Sequence, residues 1–135
     1  MTYKGGYIAN YGSIPKTALP KKLGGDGDPL DVVVFGAPIP RGEVVKVKLI
    51  GLLELMEDGD FDGKLLAVKK GSPEYNVSSV KELNLNFGDV VDEVASWFEN
   101  YKGPDSGLKV ESIGDVEEAM KILLASIDAF KATNN

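Results

Sequence analysis

The stretch Asp26–Gly36 reads DGDPLDVVVFG and joins a cluster of carboxylates to a short apolar run. The run is rich in β-branched residues and is bounded by Pro29 and Gly36, which predicts a buried strand over Asp31–Gly36. The aspartates at positions 26, 28 and 31 repel one another, and a structure that gathers carboxylates normally offsets the repulsion with a cation. The stretch therefore predicts a strand that starts beside a candidate cation site.

A second acidic cluster, Glu57–Asp62 (EDGDFD), lies between two further predicted strands. Apolar patterning predicts strands over Val44–Met56 and Lys64–Val68, so we expect an antiparallel hairpin with an acidic turn at Glu57–Gly63. Gly51 interrupts the first of these strands and indicates a bend or bulge. The residues expected on one face of that strand are Val45, Val47, Leu49, Gly51, Leu53 and Leu55.

The chain contains no Cys and no His, which removes thiol nucleophiles, disulfides, Cys/His zinc sites and His-based triads. Carboxylates without these residues select Mg²⁺, Mn²⁺ or Ca²⁺ rather than zinc. Either acidic cluster alone also fits a plain solvated turn. Asp58, Asp60 and Asp62 occupy positions 1, 3 and 5 of a Ca²⁺-binding EF-hand loop, but Lys69 stands where that loop needs a bidentate Glu.

The 135 residues suit a single domain over 1–135 that can bury a core unaided. The formal net charge is −6 and Arg41 is the single arginine, which argues against a binder of nucleic-acid backbones. No apolar run has the length of a membrane span, and residues 1–12 contain no signal-peptide core. The default compartment is therefore the cytoplasm, without a membrane partner.

The second half of the chain changes to helical periodicity. Apolar residues predict a helix from Val90 to Tyr101, ended by Gly103-Pro104, and a strand over Lys109–Ile113. Asp115 and Glu118 form a capping-box pattern that opens a last helix. Its expected apolar stripe is Val116, Ala119, Met120, Leu123, Leu124, Ile127 and Phe130. The first 25 residues are predicted to be mostly loop, with a short extended piece at Tyr7–Asn10.

Asp26–Asp31 followed by three valines resembles the signature of the soluble family I inorganic pyrophosphatases. Other family segments follow in order, which are Asn10-Tyr11-Gly12, the acidic stretch ending in Asp62-Gly63-Lys64, and Trp97–Lys102 with its helix-terminal Tyr-Lys. The resemblance covers about Tyr7 to Phe130. It implies an α+β fold, mainly β, built as a small OB-like β-barrel flanked by two α-helices. The family carries a further opening segment that this chain lacks, so we expect an incomplete barrel.

The resemblance implies Mg²⁺-dependent hydrolysis of inorganic pyrophosphate to two phosphates, with several Mg²⁺ ions per site and Mn²⁺ as an alternative. By position, Asp28 is expected to be the base that accepts a proton from the attacking water. The expected metal ligands are Asp26, Asp31 and Asp62, with the choice between Glu57 and Asp58 left open. The expected phosphate-binding residues are Tyr11, Lys64, Tyr101 and Lys102. Asp60 is expected to belong to the turn alone.

Some of these residues also have purely structural interpretations. Tyr11 and Tyr101 could be core aromatics with a satisfied hydroxyl group. Lys102 could complement the dipole of the preceding helix, and Lys64 could be an exposed strand lysine. The family resemblance further implies a homo-oligomer, which is a hexamer in many bacterial members.

Three departures from the family pattern keep other functions open. The missing opening segment carries a Glu, a Lys and an Arg of the family's active site. A ligating Asp of the family aligns with Glu57, and a family Lys aligns with Leu108. The alternatives are a truncated, weakly active or inactive relative that binds metal and phosphate, and a Ca²⁺-binding module.

Overall fold

The described part of the chain forms one mixed sheet, a separate two-stranded ribbon and three α-helices. The structure, a computed structural model, describes residues 2–3, 6–7, 9–20, 27–101, 103 and 107–133. The strands are β1 Thr2–Tyr3, β2 Gly6–Tyr7, β3 Ala9–Ile14, β4 Leu30–Phe35, β5 Val47–Glu57, β6 Asp60–Lys69 and β7 Leu108–Gly114. The helices are α1 Val80–Phe87, α2 Val90–Asn100 and α3 Val116–Thr133, and a 3₁₀ helix spans Pro73–Asn76.

The main sheet has the strand order β3-β4-β6-β5-β7, and β1 pairs only with β2 among the described strands. β4 and β6 run parallel, and the other neighbours in the main sheet are antiparallel. β3 and β7 are its outer strands, so the described strands do not close into a barrel. The predicted α+β, mainly β class and the open barrel are confirmed. The described ranges hold three α-helices, however, rather than the expected two.

The additional helix is α1, which no apolar stripe in the sequence indicated. Its N-cap is Ser79, whose Oγ accepts a hydrogen bond from the backbone N–H of Glu82 at 3.1 Å. Leu83 is the buried residue of this helix, while Leu85 is 74% exposed. One buried position does not produce the repeating apolar pattern of a helix, so Ser79 is the only feature of the sequence that indicates α1.

Both faces of the sheet are covered, which explains the continuous apolar run of β4. One face packs against α1 and α2, and we call it the α1–α2 face. Its buried strand residues are Ala9, Val33, Phe35, Ile50, Leu53, Leu55, Leu66, Val68 and Leu108. The opposite face packs against Ala119, Ile122 and Leu123 of α3, and we call it the α3 face. Its strand residues include Leu30, Val32, Val34, Leu52, Leu65 and Ala67.

β5 contains the bulge predicted at Gly51, and the bulge overturns the predicted single face. The register with β6 shifts between Leu49 and Gly51, which leaves Ile50 as an extra residue. An extra residue reverses the alternation of side chains, so Leu49 packs on the α3 face whereas Leu53 packs on the α1–α2 face. A Cβ on Gly51 would lie 2.8 Å from the carbonyl oxygen of Gly114, so this position requires glycine.

The turn between β5 and β6 is much shorter than the predicted Glu57–Gly63. It consists of Asp58 and Gly59, whose φ angles of 53° and 89° both lie in the left-handed region. Two such residues match the two-residue hairpin turns that fit the twist of paired strands. The ladder continues to the pair Glu57 and Asp60, so Asp60 and Asp62 lie on β6 itself.

β3 extends beyond Asn10, where loop was expected. The six residues Ala9–Ile14 pair with β4 along their whole length. Their sequence, ANYGSI, is poor in strand-forming residues. Pairing with the buried β4, rather than local propensity, therefore determines this strand.

The elements after residue 88 largely follow the predictions. α2 and β7 lie where a helix and a strand were expected. The capping box of α3 is present, since the Glu118 backbone N–H donates to Asp115 Oδ1 at 3.0 Å. The predicted stripe is wrong at Met120 and Leu124, which are 41% and 54% exposed. None of the helices in the described ranges has both the length and the apolar character needed to cross a lipid bilayer.

Candidate functional site

The two acidic clusters meet at one open cleft of about 540 Å³, which we call the acidic cleft. Six of its ten lining residues are acidic. The lining residues are Leu19, Asp28, Pro29, Asp31, Glu57, Asp58, Asp60, Phe61, Asp62 and Gly63. Asp60, expected to be part of the turn alone, thus borders the cleft as the first residue of β6.

The parallel pairing of β4 with β6 brings the two clusters together. Val32 pairs with Leu65, so Asp31 and Lys64, which precede them, are neighbours across the two strands. Asp62 lies two residues before Lys64 and therefore on the same face of β6. One long-range register thus joins carboxylates that are about thirty positions apart in the sequence.

Lys64 is buried at the edge of the acidic cleft, with an exposed fraction of 6%. Its Nζ lies 3.0 Å from Asp31 Oδ2 and 3.2 Å from Asp62 Oδ2. The same nitrogen donates a hydrogen bond to the Tyr11 hydroxyl oxygen at 3.0 Å. An ammonium group has three donors, and these three partners engage them. The interpretation of Lys64 as an exposed strand lysine is therefore wrong.

These contacts keep Lys64 charged. Burial disfavours the ammonium form, but the hydrogen bonds with Tyr11 and Asp31 and the electrostatic attraction of Asp62 and Tyr11 together outweigh burial and raise the pKa of Lys64 above its ordinary value. Burial raises the pKa of the Tyr11 hydroxyl, and the hydrogen bond from Lys64 partly opposes that increase. At neutral pH the site therefore holds an ammonium cation beside a neutral phenol.

A row of aromatic rings connects the two tyrosines that were expected to bind phosphate. Phe98 lies between them, with its ring centre 5.9 Å from that of Tyr11 and 6.0 Å from that of Tyr101. Trp97 stacks on Tyr101 at 4.6 Å with an angle of 5° between the rings. Tyr11 and Tyr101 are 47% and 49% exposed, so both present one side to solvent. The sequence predicts Phe98 only as part of an apolar helix, and its position between the two tyrosines depends on the fold.

Asp28 lies on the loop before β4, where Thr17 and Leu19 hold the chain. The Thr17 hydroxyl donates to the Ile14 carbonyl at 2.6 Å and accepts from the Leu30 backbone N–H at 3.0 Å. The Leu19 backbone N–H donates to the carbonyl oxygen of Asp28 at 2.9 Å. The role of Thr17 was not predictable from the sequence, because the Leu30 backbone N–H reaches its hydroxyl only in the folded chain. Two predicted site residues, Asp26 and Lys102, lie outside the described residues.

Glu57, Asp58 and Leu108 lie together where β5 ends. Glu57 and Asp58 both line the acidic cleft, and the choice between them as a metal ligand stays open. Leu108 pairs with Glu57 in the ladder between β7 and β5 and is 6% exposed. The EF-hand alternative is wrong, since Asp58–Lys69 folds as a hairpin turn and strand β6 rather than as a loop between helices.

The donors of the acidic cleft fit a hard divalent cation. All of its charged lining groups are carboxylates, the ligands that Mg²⁺ and Mn²⁺ take together with water. In the ranges that the structure describes, no three acidic side chains are close enough to enclose an ion by themselves. A cleft of this volume leaves room for water ligands, on which Mg²⁺ usually relies.

Comparison with known proteins assigns the family. Residues 1–131 match the family model of inorganic pyrophosphatase. The chain is 36% identical over 128 residues to inorganic pyrophosphatase 1 of Pseudomonas syringae pv. tomato, which covers 93% of this chain and 70% of that protein. It also resembles the solved inorganic pyrophosphatase of Helicobacter pylori, at 30% identity and a TM-score of 0.78, over 96% of this chain and 75% of that one.

A third similarity concerns the fold alone. The type I inorganic pyrophosphatase of P. falciparum superposes with a TM-score of 0.80 at 23% identity. That match covers 98% of this chain and 50% of the other, so the chain spans half the length of this structure and about 70% of the bacterial relatives. Sequence and fold agree, and the chain belongs to the inorganic pyrophosphatase family.

Proposed function

We propose that this protein hydrolyses inorganic pyrophosphate to two phosphates, with several Mg²⁺ ions held in the acidic cleft and Mn²⁺ as an alternative. The observation that carries the proposal is the meeting of both acidic clusters at one cleft, beside the charged Lys64, in a chain of this family. Pyrophosphate is strongly anionic, so an acidic protein binds it only with the help of cations. Family resemblance further supports a cytoplasmic homo-oligomer, with a hexamer as the expected state.

In the proposed mechanism the carboxylates divide into two roles. Asp31 and Asp62, with Asp26 and either Glu57 or Asp58, hold the ions, and Asp28 accepts the proton of the attacking water. Bound Mg²⁺ supplies charge neutralisation and a more acidic water. Tyr11, Tyr101, Lys64 and Lys102 donate hydrogen bonds to phosphate oxygens, which stabilises the charge that develops on the leaving phosphate.

The test measures phosphate release from pyrophosphate by the purified chain, with Mg²⁺ and with EDTA. We expect release only with Mg²⁺. Asp28→Asn keeps the shape of the side chain but cannot accept the proton, so kcat should fall about 10²–10⁴-fold. Asp128→Asn, at an exposed position of α3, is the matched control and should leave kcat unchanged. A well-folded chain that releases no phosphate with Mg²⁺ rules out the proposal.

A second candidate function is binding of metal and phosphate without turnover. It is favoured by Leu108, since a buried apolar residue next to Glu57 stands where the family carries a Lys. This alternative predicts heat from Mg²⁺ or pyrophosphate binding in calorimetry but no release of phosphate. Sustained turnover excludes it.

A further inference from the structure

Lys64 places a fixed positive charge between two of the proposed metal ligands. Its Nζ contacts Asp31 Oδ2 at 3.0 Å and Asp62 Oδ2 at 3.2 Å, so one cation already serves both carboxylates. The backbone at Lys64 is fixed, because β6 is paired with β4 on one side and with β5 on the other. Its Nζ also lies over the rings of Tyr11 and Phe98, at 5.4 and 5.6 Å from their centres.

We propose that Lys64 is the built-in counter-cation of the metal-free cleft, which holds Asp31 and Asp62 until a divalent cation displaces it from at least one of them. This inference rests on the proposed function, because it assumes that these two aspartates bind metal. The displaced ammonium then has donors available for a phosphate oxygen. Binding of metal thereby prepares a phosphate-binding group in addition to bringing its own charge.

The arrangement has two opposing energetic effects. In the metal-free protein the ammonium offsets the repulsion among the carboxylates and stabilises the fold. A divalent cation that approaches Asp31 and Asp62 is repelled by the same ammonium, which weakens its binding. Lys64 therefore lowers the affinity for metal and raises the stability of the metal-free protein. A lysine that merely orients the two carboxylates has the opposite effect on affinity, since its loss weakens metal binding.

The first test compares Lys64→Met with Lys48→Met by titration calorimetry with MgCl₂ at constant ionic strength. Lys48 is a matched control, because its Nζ also makes a partly buried contact at 2.6 Å, but that contact is to the Tyr75 carbonyl oxygen and not to a carboxylate of the cleft. We expect Lys64→Met to bind Mg²⁺ about ten-fold more tightly than the wild type, since a like charge is removed. Lys48→Met should match the wild type within about two-fold.

Two further measurements separate charge from packing. In EDTA, Lys64→Met should melt at a lower temperature than the wild type. Lys64→Arg, which retains the charge, should restore the weaker Mg²⁺ affinity of the wild type. Unchanged or weaker Mg²⁺ binding by Lys64→Met overturns the inference, and so does Mg²⁺ binding by Lys64→Arg that is as tight as that of Lys64→Met.

A measurement on the wild type covers the case in which Lys64→Met does not fold. The ammonium protons of a buried, bonded lysine exchange slowly with water, and nitrogen-15 NMR follows that exchange. Addition of Mg²⁺ should accelerate exchange at Lys64 several-fold and leave Lys48 unchanged, whereas equal exchange with and without Mg²⁺ overturns the inference.

Pyrophosphate hydrolysis by the same preparation separates this inference from the proposed function. If the wild type binds Mg²⁺ and turns over, but Lys64 shows none of these effects, only the present inference fails. If the wild type binds no Mg²⁺ and releases no phosphate, the proposed function fails and this inference fails with it.

Discussion

The side chain of Asn10 bonds three backbone groups that lie 24 to 29 positions further along the chain. Its Nδ2 donates to the carbonyl oxygens of Val34 at 3.3 Å and of Ala37 at 3.1 Å. Its Oδ1 accepts from the Ile39 backbone N–H at 2.8 Å, and the side chain is buried. Asn10 thus ties β3 to β4 and to the loop that follows β4. The next residue is Tyr11, so the same contacts fix the strand that carries the hydroxyl bound to Lys64.

We predict that Asn10→Ala lowers the free energy of unfolding by about 2 kcal/mol, because it leaves buried backbone groups without partners. Urea denaturation measures the change. Asn86→Ala, at an exposed position of α1, should change it by less than about 0.5 kcal/mol. Equal effects of the two substitutions would mean that the Asn10 contacts contribute little to stability.

Elements with a local signal were predictable from the sequence, whereas those that depend on distant partners were not. The β4 strand shows its apolar run between breakers, and α3 shows its cap at Asp115. β3 carries no such signal, since its pairing with β4 and the Asn10 contacts decide it. The change of the side chains of β5 from one face of the sheet to the other was also not predicted. Gly51 indicates that a bulge is present, but the sequence does not show which neighbouring residue is left unpaired by it.

The hairpin of β5 and β6 determines where the second acidic cluster lies. Both residues of its turn, Asp58 and Gly59, have positive φ angles. This tight turn starts the ladder at Glu57 and Asp60, so both flanking carboxylates face the acidic cleft from strands. A looser turn would let these side chains separate under their mutual repulsion.

We predict that Gly59→Ala costs about 1 kcal/mol of unfolding free energy, because φ is 89° there. A Cβ at this position has no heavy atom within 4 Å, so the cost comes from backbone conformation and not from a clash. Gly12→Ala is the matched control, since its Cβ is equally free and its φ lies outside the left-handed region. Thermal or urea denaturation should show a clear loss only for Gly59→Ala.

Across the whole molecule, negative charge is concentrated at the acidic cleft, where the two acidic clusters meet. The chain has a net charge of −6, and six acidic residues line the acidic cleft. That both clusters supply metal ligands was implied by the family resemblance of the sequence. The position of Lys64 between Asp31 and Asp62 was not predictable, because it depends on the parallel register of β4 and β6.

This concentration of charge predicts that Mg²⁺ stabilises the folded chain specifically. A ligand that binds only the native state raises the unfolding free energy, by about 2.7 kcal/mol at a hundred times its dissociation constant. For a chain of this size that corresponds to a rise in melting temperature on the order of 10 °C. Differential scanning calorimetry in EDTA and in MgCl₂ measures it, with NaCl at matched ionic strength as the control for screening. Asp31→Asn should reduce the Mg²⁺ shift and Asp128→Asn should retain it, while an equal shift in NaCl would show that general screening, and not a bound ion, stabilises the acidic cleft.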